Sequence, residues 1–297
     1  MISGRLSGCG TALVTPFAAD GSLDEPALRA LVDWQLAEGV HYLVPCGSTG
    51  EAATLSPAEH RRVVEVVVEQ VRGRVPVVAG AGSNDTRKAI ALSREMEAVG
   101  ATHLLHVSPM YSKPPQRGII AHFRAIADAT ALPIIAYNVP GRTASNMDAA
   151  TTLALAEVPN IVGIKEASGD IAQIAAVIDG RPDHFAVISG DDALTPAVIA
   201  AGGDGVISVV SNATPRLMAS LVERCTAGDT RDAERLYARL APWISAAFIE
   251  SNPLPVKAAL AMMGKIQNVL RLPLVPLAQE HDAEVRSALA SAEATVA

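Results

Sequence analysis

The sequence predicts a parallel (β/α)8 barrel over residues 1–228, followed by a C-terminal helical region over 229–297. Three observations predict it. Eight short apolar runs recur, spaced roughly 20–35 residues apart, as a barrel of this kind requires. Each run is apolar at successive positions, so neither of its faces suits water, and that is the signature of a parallel sheet covered on both sides. Helical patterns lie between the runs, and alternation of strand and helix points to parallel pairing through crossovers.

In chain order the strand candidates are 10–15, 42–47, 75–81, 102–108, 133–138, 161–166, 185–190 and 205–210. The helical patterns include 24–38, 56–72, 85–99, 117–129 and 148–156. Ser56-Pro57 sets a capping hydroxyl before a first-turn proline, and Glu59 completes a capping box. Thr195-Pro196 repeats the cap-and-proline pair. Gly39, Gly73, Gly100 and Gly180 fall near helix ends, where a left-handed residue is needed. Beyond residue 228 strand alternation stops. Residues 229–249, 253–263 and 279–294 read as helices, and the proline-rich stretch 270–277 as an extended connection packed on a surface.

Composition narrows the function. Hydrophobic residues make up 49% of the chain and aromatic ones 3%, so the core is built of Ala, Val, Leu and Ile. The formal net charge is -7 and no basic run of five or more occurs, so nucleic acid and anionic membranes are not expected partners. No basic segment followed by an apolar one opens the chain, and no apolar stretch approaches about 18 residues. The three cysteines, Cys9, Cys46 and Cys225, are far apart and form no zinc or disulfide pattern. A reducing cytoplasm is the expected setting.

Chemistry is expected where barrel strands end. Lys165 lies inside the apolar run 161–166. A buried lysine either pairs with a carboxylate or loses proton affinity, and in the second case it becomes an amine nucleophile able to form an imine. The second run leads into Gly47-Ser48-Thr49-Gly50-Glu51, where hydroxyls and backbone N–H groups suit a carboxylate, although an ordinary turn has the same composition. Tyr111 and Tyr137 follow the fourth and end the fifth run, two of only four tyrosines. Each is a proton shuttle if a neighbour tunes it, and otherwise a solvated aromatic. Arg142 offers a fork for a carboxylate, or a loop salt bridge. Gly190 lets a ligand approach the backbone, whereas Asp191 and Asp192 read as residues that merely precede a helix.

Other chemistries lack their motifs. His103 and His106 point to opposite sides of a strand, and no His/Asp/Glu metal pattern occurs. The glycines at 80 and 82 lack the third member of a dinucleotide fingerprint. The stretch 211–215 is not the glycine-rich phosphate loop of many barrels. No metal or organic cofactor is expected, and the substrate expected is an unphosphorylated carboxylate.

With these residues placed, the chain resembles the dihydrodipicolinate synthase family, within the pyruvate-dependent class I aldolases that also include N-acetylneuraminate lyase. The likeness runs through residues 10–17, the 47–51 loop, Tyr137-Asn138-Val139-Pro140-Gly141-Arg142-Thr143, Gly163-Ile164-Lys165-Glu166 and 205–208. It continues through Asn252-Pro253-Leu254-Pro255-Val256-Lys257 and 270–274. The resemblance implies a lyase of lysine and diaminopimelate biosynthesis, joining pyruvate to aspartate semialdehyde through an imine on Lys165. It implies that Tyr137 shuttles protons and that Ser48 links it to Tyr111 of a neighbouring subunit. It implies that Thr49 holds the pyruvate carboxylate, that Arg142 receives the aldehyde's carboxylate, and that Gly190 and Ile207 line the pyruvate pocket. A homotetramer built as a dimer of dimers is the implied assembly.

Ser48 stands where the synthases usually have threonine and the lyases often have serine. That departure keeps a second reading open, a pyruvate aldolase acting on a sugar acid or a hydroxy-oxo acid. A non-catalytic carboxylate sensor is a third reading, opposed by the retention of every relay group. Many family members are inhibited by lysine. At the aligned positions Asn84 and His60 are kept, whereas Pro57, Lys88 and Met110 replace a histidine, a glutamate and a tyrosine.

Overall fold

The computed structural model describes residues 5–293; the ends of the two expected segments, 1–4 and 294–297, lie outside them. The eight strands are β1 (Gly8–Ala12), β2 (Tyr42–Val44), β3 (Val78–Gly80), β4 (His103–Val107), β5 (Ile134–Asn138), β6 (Ile161–Glu166), β7 (Ala186–Ser189) and β8 (Gly205–Ser208). All pairings are parallel, in the order β2-β1-β8-β7-β6-β5-β4-β3. A parallel bridge between Leu43 and Val77 joins the two ends, and Gly80 N–H donates to Pro45 O at 3.0 Å. The sheet therefore closes into the expected barrel.

The helices are α1 (Glu25–Ala37), α2 (Pro57–Val71), α3 (Thr86–Ala98), α4 (Gln116–Ala127), α5 (Pro140–Thr143), α6 (Ala149–Ala156), α7 (Ile171–Gly180), α8 (Thr195–Ala200) and α9 (Pro215–Thr226). Beyond the barrel come α10 (Thr230–Ala246), α11 (Leu254–Met262) and α12 (Asp282–Glu293). The Ser56 capping box forms in both directions, through Glu59 N–H to the Ser56 hydroxyl and Ser56 N–H to the Glu59 carboxylate.

Strand residues alternate between two cores, as the pleat requires. Ala12, Tyr42, Val44, Val78, Leu105, Ile135, Ile188 and Ile207 fill the barrel. Cys9, Leu43, Leu104, Ile134, Ile164, Val187 and Val206 face the helices. Gly10 leaves space for the Tyr42 ring: a Cβ there would come within 1.9 Å of it. The Tyr42 hydroxyl then reaches Val206 O at 3.0 Å.

Three local expectations are corrected. Strand β1 begins two residues earlier and ends at Ala12, because Leu13 and Val14 already turn out to pack under helices. Thr195 is the first residue of α8 and not its cap; Leu194 precedes the helix, and the Thr195 hydroxyl donates back to Asp191 O. Gly39, Gly73 and Gly100 are left-handed, but Gly180 is the last helical residue of α7 and packs against Leu153.

The C-terminal helices fold onto the barrel. Trp243 of α10 is buried, and its indole N–H donates to Val210 O at 3.3 Å. The connection 270–277 is neither helix nor strand. It is pinned by Arg271, whose guanidinium lies 4.2 Å over the Phe17 ring and binds Gly21 O, Thr54 O and the Glu59 carboxylate. That contact holds the Glu59 carboxyl down at about 2.

Candidate active site

At the C-terminal ends of the strands lies a cavity of about 630 Å³, lined by Ser48, Thr49, Tyr137, Arg142, Lys165 and Gly190. Phe248, Ser251 and Asn252 border it from the C-terminal region, and His60, Asn84 and Met110 border it from the barrel loops.

Lys165 and Tyr137 are register partners on β6 and β5, so both point into the barrel side by side. The Lys165 side chain is 6% exposed, and its Nζ lies 4.4 Å over the Tyr137 ring. It has no salt bridge among the described residues. Burial therefore governs it and pushes the ammonium down to about 8, against the pull of the Asp192 carboxylate and with help from Arg142. Of the two fates open to a buried lysine, no core ion pair is formed among the described residues, and burial lowers the proton affinity of the amine. Gly190 makes room for its stem: a Cβ there would stand 3.1 Å from Lys165 Cε and 2.7 Å from Ala167 Cβ.

Burial pushes the Tyr137 phenol up, while Arg142 and the Ser48 side chain draw it down. Ser48 and Thr49 occupy the loop after β2, and their backbone N–H groups have no protein acceptor among the described residues. Thr49 Oγ1 accepts from Asn252 Nδ2 at 2.9 Å. Arg142, on α5, is exposed and spends one Nη2 donor on Asn252 O at 3.2 Å. A dry amine, a phenol beside it, hydroxyls, free amides and a guanidinium are what imine formation with a carboxylate-bearing carbonyl compound needs.

The sequence profile of the dihydrodipicolinate synthetase family matches residues 5–292. The chain belongs to that family. It is 49% identical to a 4-hydroxy-tetrahydrodipicolinate synthase of Koribacter versatilis over 289 residues, covering 97% of this chain and 96% of the relative. Among solved structures it is similar to the chloride-inhibited dihydrodipicolinate synthase of Acinetobacter baumannii in complex with pyruvate. That likeness has a TM-score of 0.95 and 42% identity, over 97% of this chain and 99% of the other. A lysine-bound family member from Cyanidioschyzon merolae has a TM-score of 0.94 and 40% identity, over 97% and 98% of the two chains.

Two residues named from the sequence are not among those that line the cavity. Ile207 is buried within the barrel and does not border it. Tyr111 is 89% exposed, on a left-handed backbone at φ 74°, and does not line its own chain's cavity. At the positions aligned with the family's lysine site, His60 bonds Gly80 O at 2.8 Å, Asn84 Nδ2 reaches Met110 O at 3.4 Å, and Lys88 is exposed.

Two further residues matter that sequence reasoning passed over. Asp192 does more than precede a helix: it is buried, and its Oδ2 accepts from Val209 and Val210 N–H, tying the β7 and β8 loops beside Lys165. Burial pushes its carboxyl up. Asp191 has the plainer role expected, with Oδ1 accepting from Ala193 N–H. Asn252 opens Asn252-Pro253-Leu254-Pro255-Val256-Lys257, but nothing in its spacing connects it with Thr49 or Arg142. Among the described residues, no three His, Cys, Asp or Glu side chains cluster to hold a metal ion, and no helix is long and apolar enough to cross a membrane.

Proposed function

We propose that the chain is a 4-hydroxy-tetrahydrodipicolinate synthase, a lyase condensing pyruvate with aspartate 4-semialdehyde through an imine on Lys165. The observation that carries this is the Lys165 amine, buried, without a salt bridge among the described residues and seated over Tyr137 in a cavity with donors for carboxylates. The full-length likeness to synthases of that name supports it.

The neutral amine adds to the carbonyl carbon of pyruvate, and loss of water leaves an iminium. Loss of a methyl proton gives the enamine, whose carbon attacks the aldehyde. The semialdehyde's own amine then displaces Lys165, which closes the ring and frees the enzyme. Tyr137 carries the protons of these steps, and Ser48 connects it with Tyr111 of a second copy. Thr49 and the loop amides hold the pyruvate carboxylate; Arg142 receives that of the semialdehyde. The iminium is itself the electron sink, so no metal or organic cofactor enters the scheme.

The exposure of Tyr111 supports an assembly in which each copy completes its neighbour's site, at least a dimer and, by family likeness, a dimer of dimers. The cytoplasm, where both substrates would be drawn from metabolism, is the proposed location. The test is turnover of pyruvate and aspartate semialdehyde by the purified chain, with Lys165→Ala as control. Product formation by Lys165→Ala at the wild-type rate would sink the scheme.

A further inference from the structure

We infer that Asn252 of the C-terminal region is a positioning residue that aims the Thr49 hydroxyl proton at the pyruvate carboxylate. This rests on the reading of the cavity as a pyruvate site. Asn252 lies 203 residues from Thr49 in sequence, yet its Nδ2 donates to Thr49 Oγ1 at 2.9 Å. An amide donor fills an acceptor lone pair of that oxygen. The hydroxyl proton is then left to point elsewhere, and no other partner claims it among the described residues. Thr49 borders the cavity, beside the free amides of its own loop. A threonine held in this way is a donor, and a donor is what a carboxylate requires.

The geometry is fixed from both sides. Asn252 is buried, which limits the freedom of its amide. Its backbone carbonyl accepts from Arg142 Nη2 at 3.2 Å, so one residue touches the proposed holders of both substrate carboxylates. The two contacts differ in kind. The one to Thr49 is made by the side chain and is lost on substitution. The one to Arg142 is made by the backbone and survives it. Substituting Asn252 should therefore weaken pyruvate selectively. Among the described residues the buried Asn252 Oδ1 has no hydrogen-bond partner, so the bond to Thr49 is the one contact the amide makes.

The direction of the bond makes the test sharp. Aspartate at 252 has the shape of asparagine but only acceptor oxygens when ionised, so it would take the Thr49 proton away from the ligand. The measurement is borohydride trapping of pyruvate on Lys165, read as the half-saturating pyruvate concentration. Asn252→Ala should raise it about 10–100-fold, the loss of one hydrogen bond to a charged group. Asn252→Asp should raise it at least as much. Thr49→Val should match Asn252→Ala, and the double variant should add little, as two residues acting through one contact do. The KM for the semialdehyde should move far less than that for pyruvate. Wild-type half-saturation in Asn252→Asp would overturn the inference, as would parallel rises in both KM values. If Asn252→Ala does not fold, Asn252→Asp and Thr49→Val decide by the same criterion. Absence of any adduct on the wild-type chain would overturn the pyruvate reading itself, and this inference with it.

Discussion

Lys257 Nζ lies 2.6 Å from Glu51 Oε1, and neither side chain touches solvent. The ammonium also donates to Thr15 O at 3.0 Å and sits 4.5 Å over the Phe17 ring. The other Glu51 oxygen accepts from Arg271 N–H at 3.2 Å. Glu51 follows the Ser48-Thr49 loop at once, so this pair clamps α11 and the 270–277 connection to the loop that faces the cavity. Burial pushes the Lys257 ammonium down, and Glu51 opposes that.

A buried pair is costly to break from one side, because an uncompensated charge stays behind. Lys257→Met should cost about 3–5 kcal/mol of stability in denaturant unfolding. Lys257→Met with Glu51→Leu should recover much of that, since it removes both charges. A single variant within 1 kcal/mol or so of wild type would contradict the clamp.

Pyruvate with borohydride should leave one reduced adduct per chain, on the peptide carrying Lys165. Its rate should depend on pH through the amine. Because burial brings Lys165 down to about 8 from 10.5, the neutral fraction grows as pH rises towards 8 and levels off above it. A rate still climbing steeply towards 10.5 would show that the amine is not perturbed.

Tyr137→Phe and Ser48→Ala should each lower kcat by roughly 10²–10⁴, the usual effect of removing a proton-transfer group. Ser48→Thr keeps the hydroxyl and should stay close to wild type. Equal damage from Ser48→Thr and Ser48→Ala would refute the relay.

Tyr111 is exposed and does not line its own chain's cavity, so chains defective at different points should complement each other. Mixing Tyr111→Phe with Lys165→Ala chains should restore activity through hybrid sites. No recovery after verified subunit exchange would place Tyr111 outside the relay.

L-lysine at millimolar concentration should leave initial rates unchanged. A ligand ammonium would meet Lys88 where family members inhibited by lysine have glutamate, and loss of a charge-assisted bond is worth roughly 1.5–3 kcal/mol before repulsion is counted. Saturable inhibition well below that range would require a differently built effector site.

The sequence by itself determined the barrel, the order of its strands along the chain and the prominence of Lys165. These are local signals. A parallel strand is apolar along its whole length, and a charge within it is conspicuous. Helix starts were legible where the capping side chain lies within one turn, as at Ser56, and misread at Thr195, where the chain fits a cap but the backbone has already turned helical. Only the tertiary structure decided that Tyr137 and Lys165 share a register, that Gly190 yields space to the lysine stem, and that Asp192 is buried. It also decided the contacts of Asn252 with Thr49 and of Lys257 with Glu51, which join residues 203 and 206 positions apart. No periodicity reports such pairs, because they are made by the packing of the C-terminal region on the barrel mouth and not by any repeat along the chain.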